Sequence, residues 1–406
     1  MPGIPPDGEP MPSDGRLAVA DLDSELRKPF GIYVHVPFCV TRCGYCDFNT
    51  YTAAELGGGA SRESYAALAI EEVRFARRVL GAAAAPVSTV FFGGGTPTLL
   101  PPGELGSILR AIEDEFGLAP GAEVTTEANP DSVDQRALGE LLASGFNRIS
   151  LGMQSSVGHV LSVLDRSHTP GRAQECVGWA RAEGFSRVSL DLIYGTPGES
   201  AADWEQSVRS ALEAGPDHIS AYALIVEEGT RLAARIRRGE LAAPDDDELA
   251  DRYVAADEIF TAAGLKWYEV SNWAAGEASA CRHNLLYWTD GNWWGVGPGA
   301  HSHVGGTRWW NLRHPAAYAG RIAAGRSPGQ ARELLTDGER RTERIMLTTR
   351  LASGCTVGEL GPGGLRAASA AVADGLADGE ALRSGRVVLT RRGRLLADAV
   401  IRDLID

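Results

Sequence analysis

Three cysteines, Cys39, Cys43 and Cys46, lie in one short stretch with the spacing C-x3-C-x2-C. They follow an apolar run, residues 32–36, which predicts a short buried strand that leads straight into a cysteine loop. Three thiolates in one loop can each bind one iron of a [4Fe–4S] cluster. The residues that follow, Phe48 among them, supply no fourth thiolate. One iron would therefore keep a coordination position open to a small chelating ligand.

Other uses of cysteine fit this chain less well. A structural zinc site normally needs four ligands, often as two C-x2-C pairs, and the sequence has no second pair. A disulfide framework is typical of short secreted chains that are rich in cysteine, whereas this chain has six cysteines in 406 residues. Cys176, Cys281 and Cys355 stand alone and are interpreted as ordinary buried thiols. The iron–sulfur interpretation is favoured for the loop.

The loop also resembles a known family. Its spacing, with the aromatic residue Tyr45 before the last cysteine, is similar to that of the radical S-adenosylmethionine (SAM) superfamily. In that superfamily the amino and carboxylate groups of SAM occupy the open iron. The resemblance therefore implies two cofactors, a [4Fe–4S] cluster and SAM.

Composition and charge favour a globular protein of the cytoplasm. The chain has a net charge of −14, which argues against a broad surface for nucleic acid. No apolar run is long enough to span a bilayer, so we expect at most peripheral contact with a membrane. Residues 1–29 are rich in proline, glycine and acidic residues and lack the apolar core of a signal peptide, which predicts a flexible tail.

Strand and helix patterns alternate from residue 31 to about residue 225, and the first helix is predicted over about residues 62–80. Six β-α units in succession predict a parallel sheet in the α/β class. Six units are too few to close an eight-unit barrel, so we expect a partial (β/α)6 barrel. One of its helices is expected to open with a capping pair, Ser132 and Gln135.

We therefore divide the chain into four segments. Residues 1–29 form the tail, residues 30–225 the core barrel and residues 226–330 an aromatic-rich connecting region. Residues 331–406 are predicted to form a smaller C-terminal α+β or helical domain, with a winged-helix-like hairpin over residues 386–396.

Polar residues recur where the predicted strands end. Glu127, Gln154 and Asp191 follow the third, fourth and fifth strands, and a glycine-rich loop follows the second. In parallel barrels the carboxyl ends of the strands carry the chemistry, so we expect these residues on one rim. Gly94 and Gly95 would allow close approach of a ligand, and a carboxylate could accept hydrogen bonds from ribose hydroxyls. Each feature alone also has an ordinary structural explanation, such as a helix cap.

The motifs YVHVPFC, GGGTPT, TEANP, GMQS and DLIYGTPGE resemble the oxygen-independent coproporphyrinogen III oxidase branch over residues 30–400. Oxidases of that branch carry a further cysteine just after the third cluster ligand, where this chain has Phe48. This departure argues against oxidase activity and makes the chain similar instead to the HemW family of heme chaperones. The resemblance implies that the following residues contact SAM: Tyr33, Tyr45, Gly94, Gly95, Thr96, Glu127, Gln154, Arg166, Asp191 and Ala223.

The connecting region is unusually aromatic, since seven of the nine tryptophans lie between Trp267 and Trp310. Such a region suits a flat apolar ligand such as a porphyrin, although a packed domain interface has the same composition. Within it HNLLYW, which begins at His283, resembles the HNxxYW motif of HemW proteins, and the resemblance implies that His283 binds heme. His301 and His303 are weaker candidates with an expected structural role.

The sequence thus predicts a cytoplasmic radical-SAM-type protein that binds a [4Fe–4S] cluster, SAM and heme and transfers heme to an acceptor protein. The resemblance further implies a reducing electron donor such as flavodoxin or ferredoxin, and no nucleic acid partner is expected. Two alternatives stay open: the anaerobic decarboxylation of coproporphyrinogen III, and a radical SAM methyltransferase with a second SAM site.

Overall fold

The computed structural model describes residues 8–56, 61–81, 84–166 and 168–405. Its N-terminal segment begins with strand β1 (Glu9–Pro10), which pairs antiparallel with residues 331–332, and helix α1 (Leu22–Glu25) follows. Leu17 and Leu26 of this segment are buried in the main core. The expected flexible tail is thus corrected for residues 8–29, because the few apolar side chains of the segment pack against the sheet. Residues 1–7 lie outside the described residues.

Six parallel strands, adjacent in chain order, form the centre of the molecule. They are β2 (Phe30–Val36), β3 (Val87–Gly94), β4 (Leu118–Ala128), β5 (Arg148–Gln154), β6 (Arg187–Tyr194) and β7 (His218–Ala223). The helices between them are α2 (Arg62–Leu80), α3 (Pro102–Phe116), α4 (Gln135–Ala143), α5 (Gly158–Val163), α6 (Arg172–Glu183) and α7 (Ala201–Glu213). The predicted α/β class and partial barrel are confirmed.

Local sequence explains where these helices begin. The Ser61 side chain accepts a hydrogen bond from the backbone N–H of Ser64, so α2 starts at Arg62 as expected. The capping pair predicted for the third helix is wrong. Asp134 caps α4 by accepting from the backbone N–H of Ala137, because Ser132 belongs to a preceding single turn and donates its hydroxyl to a backbone carbonyl there.

The region after the sixth strand extends the same sheet at both edges. It contains α8 (Arg231–Arg237), α9 (Asp246–Ala262), β8 (Lys266–Glu269), β9 (Asn272–Ala274), α10 (Arg282–Trp288), β10 (Asn292–Val296), β11 (His301–Val304), β12 (Thr307–Asn311), α11 (Pro315–Ala323) and β13 (Gly329–Leu334). Among the described residues the strand order is β1-β13-β12-β11-β10-β2-β3-β4-β5-β6-β7-β9-β8. Strand β10 is parallel to β2, so the sequence missed a seventh parallel strand beside the one that leads into the cysteine loop.

The C-terminal segment has a small hydrophobic cluster of its own. Its elements are α12 (Asp337–Thr348), β14 (Cys355–Thr356), α13 (Pro362–Ala373), α14 (Gly379–Arg383), β15 (Arg386–Val387), α15 (Arg391–Leu395) and α16 (Ala397–Ile405). The hairpin predicted over residues 386–396 is wrong: β15 pairs with the distant β14, and α15 follows, capped by the Thr390 side chain. In the described part of the chain, no helix is both long and apolar enough to cross a membrane.

Candidate functional site

The two ends of the cysteine loop are joined to each other by backbone hydrogen bonds. The backbone N–H of Cys39 donates to the carbonyl of Tyr51 (3.0 Å), and the N–H of Tyr51 donates to Pro37 (2.7 Å). The three thiols are half-buried. Burial, and then the neighbouring Cys46 and Cys43 thiols, raise the pKa of Cys39 to about 11. The Cys39 thiol would thus be protonated at neutral pH, and metal binding would release its proton.

The donor set of this loop fits a cluster better than a single ion. Across the described residues no three His, Cys, Asp or Glu side chains converge as the ligands of one metal ion. The thiols are nevertheless close together, since the charges of Cys43 and Cys46 raise the pKa of Cys39 and the charge of Cys43 raises that of Cys46. In a [4Fe–4S] cluster each thiolate binds a different iron, so the sulfurs surround the cluster and do not meet at one point. Cys39, Cys43 and Cys46 could therefore hold such a cluster.

Arg166 lies beside this loop. One guanidinium nitrogen is 3.6 Å from the Cys43 sulfur, and another donates to the carbonyl of Gly152 (2.7 Å). Tyr45 packs in the same place, and burial is the main cause that raises its pKa. A buried cation next to thiolates offsets part of their negative charge. The structure thus joins Arg166 and Tyr45 to the predicted cluster loop.

The glycine loop is held against the cysteine loop by backbone hydrogen bonds. The N–H of Gly95 donates to Val36 and that of Thr96 donates to Phe38, each at 2.8 Å. A Cβ atom on Gly95 would lie 2.4 Å from the carbonyl oxygen of Phe38. A Cβ on Gly94, whose φ is +110°, would lie 2.6 Å from the ring of His35. The packing of the chain itself therefore requires glycine at both positions, whether or not a ligand also approaches them.

Two carboxylates lie on β4 and β6, the strands on either side of β5, and are close enough for the charge of Asp191 to act on Glu127. Glu127 accepts a hydrogen bond from the backbone N–H of Gly94 (3.1 Å), and Asp191 accepts one from the Ser150 hydroxyl, with both of its oxygens within 3.1 Å. Desolvation, and then the charge of Asp191, raise the pKa of Glu127 to about 8. Desolvation also raises the pKa of Asp191. Paired carboxylates of this kind favour a cationic ligand or a ligand rich in hydroxyl groups.

The other predicted SAM contacts lie on the same rim. Gln154 ends β5 at a bulge and has a φ of +63°, a strained conformation for a residue with a side chain. Ala223 ends β7, opposite Tyr194 of β6. Tyr33 points along β2 and its hydroxyl lies 2.9 Å from Nδ1 of His35. The structure thus brings together the strand-end residues that the sequence predicted.

His283, the predicted heme ligand, lies in a different environment. It is 1% exposed, and its ring stacks on Phe91 with 5.3 Å between ring centroids. Nδ1 is 2.8 Å from the Thr89 hydroxyl, and Nε2 is 2.7 Å from the Tyr287 hydroxyl. Burial lowers the pKa of His283 to about 3, so the ring is neutral. Both ring nitrogens have protein partners, so this structure does not present His283 as a free axial ligand.

The HNLLYW segment packs against β3 and β4 through His283. It forms α10, and the Asn284 amide donates to the Glu269 carboxylate at 2.9 Å. The backbone N–H of His283 donates to Glu123, which is fully buried near Arg148. Most of the surrounding tryptophans, such as Trp294, are also packed in the core. The packed-interface explanation for the aromatic density is therefore correct for much of this region.

A cavity of about 730 Å³ adjoins the cysteine and glycine loops. Gly94 and Glu127 line one part of its wall, and Asp47, Phe48 and Asn49 of the cysteine loop line another. Its aromatic lining consists of Tyr33, Phe48, Tyr287, Trp293 and Trp310, and its histidines are His35, His301 and His303. A larger and more open groove of about 1000 Å³ lies beside β13 and α12, but none of the predicted site residues lines it.

The sequence ranked His301 below His283, but the structure places its side chain, exposed, in this cavity. His301 is the first residue of β11, and its cross-strand partner is Trp310 of β12, so its position depends on strand pairing and no local pattern in the sequence marks it. His303, in contrast, is 2% exposed, with Nδ1 2.9 Å from the carbonyl of Gly291. Its expected structural role agrees with these contacts.

Comparison with known proteins first defines the class. Residues 33–211 match the radical SAM superfamily. The fold matches the solved structure described as "Coproporphyrinogen III oxidase (HemN) from Escherichia coli is a Radical SAM enzyme", with a TM-score of 0.79, 20% identity and coverage of 97% of this chain and 94% of that chain. At this identity the likeness concerns the fold alone. The fold is that of a radical SAM protein.

The family follows from closer relatives. The chain is 52% identical to the heme chaperone HemW of Mycobacterium tuberculosis, with coverage of 93% of this chain and 95% of the relative. It is 36% identical to the heme chaperone HemW of Synechocystis, with coverage of 82% and 80%. The chain belongs to the HemW family.

Proposed function

We propose that this protein is a radical-SAM-type heme chaperone, which binds a [4Fe–4S] cluster, SAM and heme and passes the heme to an acceptor protein. The observation that carries the proposal is a shared wall. Residues 47–49 of the cysteine loop, together with Gly94 and Glu127, also line the aromatic cavity. A cluster site and a space for a flat apolar ligand would thus be neighbours in one chain, whose relatives in the same family are named heme chaperones.

Each cofactor has its own residues in this proposal. Cys39, Cys43 and Cys46 would bind three irons of the cluster, and Arg166 beside Cys43 would offset its negative charge. Glu127 and Asp191 would accept hydrogen bonds from the ribose of SAM or face its positive sulfur. When bound, the cluster supplies a fourth iron with an open position for the amino and carboxylate groups of SAM.

The alternative function is oxidation of coproporphyrinogen III by the same fold. Phe48 argues against oxidase activity, because the oxidases that the sequence resembles carry a cysteine at this position. In this structure Phe48 is 61% exposed and lines the cavity, so the position offers an apolar ring where a thiol would lie. A methyltransferase is the third candidate and would need a second SAM site. The chaperone proposal is therefore preferred.

The partners follow from the same proposal. A heme acceptor protein would receive the cargo, and a reducing donor such as flavodoxin or ferredoxin would reduce the cluster. The net charge of −14 does not favour nucleic acid, and contact with a membrane would be peripheral at most. We place the protein in the cytoplasm.

One anaerobic experiment separates these functions. Reconstituted protein is titrated with hemin and, in a second sample, incubated with coproporphyrinogen III, SAM and a reductant. The proposal predicts a saturable Soret band, a SAM-dependent change in the EPR spectrum of the reduced cluster, and no protoporphyrinogen IX. Formation of that product would establish the oxidase, and absence of saturable hemin binding would refute the chaperone.

A further inference from the structure

Arg42 joins the two halves of the cysteine loop. It lies between the first two cysteines, and its guanidinium reaches the part of the loop that follows the third. Nε donates to the Thr50 hydroxyl at 3.3 Å, and a terminal nitrogen donates to the backbone carbonyl of Thr50. The same terminal nitrogen donates to the Glu55 carboxylate at 3.1 Å. One side chain thus closes the loop that carries the three thiols.

The Glu55 end of this contact is also held in place. The backbone N–H and the hydroxyl of Thr52 both donate to the Glu55 carboxylate at 2.8 Å. The Arg42 side chain is 33% exposed and that of Glu55 is 43% exposed. An ion pair with this exposure adds little stability by itself. The contacts of Arg42 therefore matter mainly for the geometry that they impose on the loop.

Thr50, the other partner of Arg42, is buried at 2% exposure. Because its Oγ1 accepts a hydrogen bond from Arg42, the hydroxyl hydrogen must point away from the guanidinium. The sulfurs of Cys39 and Cys46 lie within its reach. Burial raises the pKa of both thiols, and a hydrogen bond from the Thr50 hydroxyl opposes that shift at each of them. The loop thus directs one buried hydroxyl at two of its three sulfurs.

Donors around the thiolates have a known physical effect on a cluster. Hydrogen bonds to the sulfurs, together with net charge and exposure, set the reduction potential of an iron–sulfur cluster. Reduction adds negative charge, so a donor stabilises the reduced cluster more than the oxidised one. Cys43 has a donor of its own, Arg166, at 3.6 Å. Loss of the Thr50 hydroxyl would therefore remove a donor from the other two thiolates and lower the potential.

We propose that Arg42 and Thr50 are positioning residues of the cluster site. Arg42 holds the loop closed and orients the Thr50 hydroxyl, which donates to the thiolates of Cys39 and Cys46 and raises the reduction potential of the cluster. This inference rests on the proposed function, because it requires a cluster on the three cysteines, and it adds two residues that act through those ligands. If Arg42 and Thr50 only stabilised the fold of the loop, the Thr50 hydroxyl would not affect the potential.

The test is a redox titration of the anaerobically reconstituted full-length chain, followed by the EPR signal of the reduced cluster. Four proteins are compared: the unchanged chain, Thr50→Val, Thr50→Ser and the control Thr41→Val, which makes the same change at an exposed threonine of the same loop. Thr50→Val keeps the shape of the side chain but removes the hydroxyl. It should shift the reduction equilibrium about tenfold toward the oxidised cluster, which is about 59 mV for a one-electron couple. Thr50→Ser should restore the potential, and Thr41→Val should not change it.

The outcomes separate the two claims. If the unchanged chain holds no iron–sulfur cluster, the proposed function fails and the inference fails with it. If the cluster forms and Thr50→Val has the potential of the unchanged chain, the inference alone is overturned. A potential of Thr50→Ser equal to that of Thr50→Val would also overturn it, as would an equal shift in Thr41→Val.

Iron analysis identifies a variant that does not hold the cluster. If Thr50→Val is such a variant, the decision passes to Arg42→Lys, which keeps the positive charge but lacks the planar fork that reaches both Thr50 and Glu55. The potential of Arg42→Lys should also fall, and a chelator should remove its iron faster than from the unchanged chain. A potential equal to that of the unchanged chain would overturn the inference.

Discussion

The rim of the barrel and the aromatic region after it differ in where the residues of their sequence motifs lie. On the rim, the residues that the motifs marked lie together at the strand ends, with Glu127 within 3.1 Å of the glycine loop. In the aromatic region the marked histidine, His283, is buried and bonded on both sides, whereas the unmarked His301 faces the cavity. The fold sets the position of a motif at the ends of parallel strands. The residues of a motif on a short helix can instead pack in the core without contacting a ligand.

The largest effect is expected at the cysteine loop. Replacing Cys39, Cys43 or Cys46 with Ala should reduce the iron content of anaerobically reconstituted protein from about four per chain to near zero, because each thiolate binds one iron. Cys176→Ala and Cys355→Ala are the matched controls, since these buried thiols lie away from the loop. Iron and sulfide analysis measures the result. Full cluster content in all three loop variants would refute the cluster site.

The second prediction concerns the buried motif. His283→Ala should lower the free energy of unfolding by about 2–4 kcal/mol, because it creates a cavity and leaves the hydroxyls of Thr89 and Tyr287 without a partner. His301→Ala, an exposed position, should change it by less than about 0.5 kcal/mol. Denaturant unfolding of the two variants gives both numbers. Equal free energies of unfolding for His283→Ala and His301→Ala would contradict the contrast between a buried and an exposed histidine.

The third prediction concerns SAM. Above pH 8, where the Glu127 carboxylate is ionised, Glu127→Ala should weaken SAM binding by about 1.5–3 kcal/mol, the value of a lost hydrogen bond to a charged group, and should leave iron content unchanged. Anaerobic calorimetry on the reconstituted protein measures it. Glu113→Ala, an exposed position of α3, is the control because it removes a carboxylate far from the rim. SAM affinity equal to that of the unchanged chain would exclude Glu127 from the site.

The last prediction concerns pH. The folded-state pKa of Glu127 is raised to about 8, so between pH 4.5 and about pH 8 the folded chain binds more protons than the unfolded chain. Its contribution to stability therefore decreases as pH rises through that window. Glu127→Gln, which removes the charge but can still accept from Gly94, should unfold at a higher temperature than the unchanged chain at pH 8 and differ little at pH 5. The same difference at both values would contradict the raised pKa.

The sequence determined more of the rim than of the aromatic region. The C-x3-C-x2-C spacing, the helix over residues 62–80 and the polar strand ends could be predicted, because local patterns define the strands and parallel strands must end at one edge. The bulge that gives Gln154 its positive φ could not be predicted, because it depends on pairing with β6.

Tertiary structure alone decided which histidine faces open space. His283 and His301 are both flanked by aromatic residues in the sequence, and neither composition nor spacing separates them. Strand β10 pairs with β2 from more than 250 residues away, and α10 packs against β3 and β4 through contacts with Thr89 and Glu123. Burial of a side chain is a sum over such distant contacts, so local sequence could name the candidate ligands but could not determine which of them has a free nitrogen.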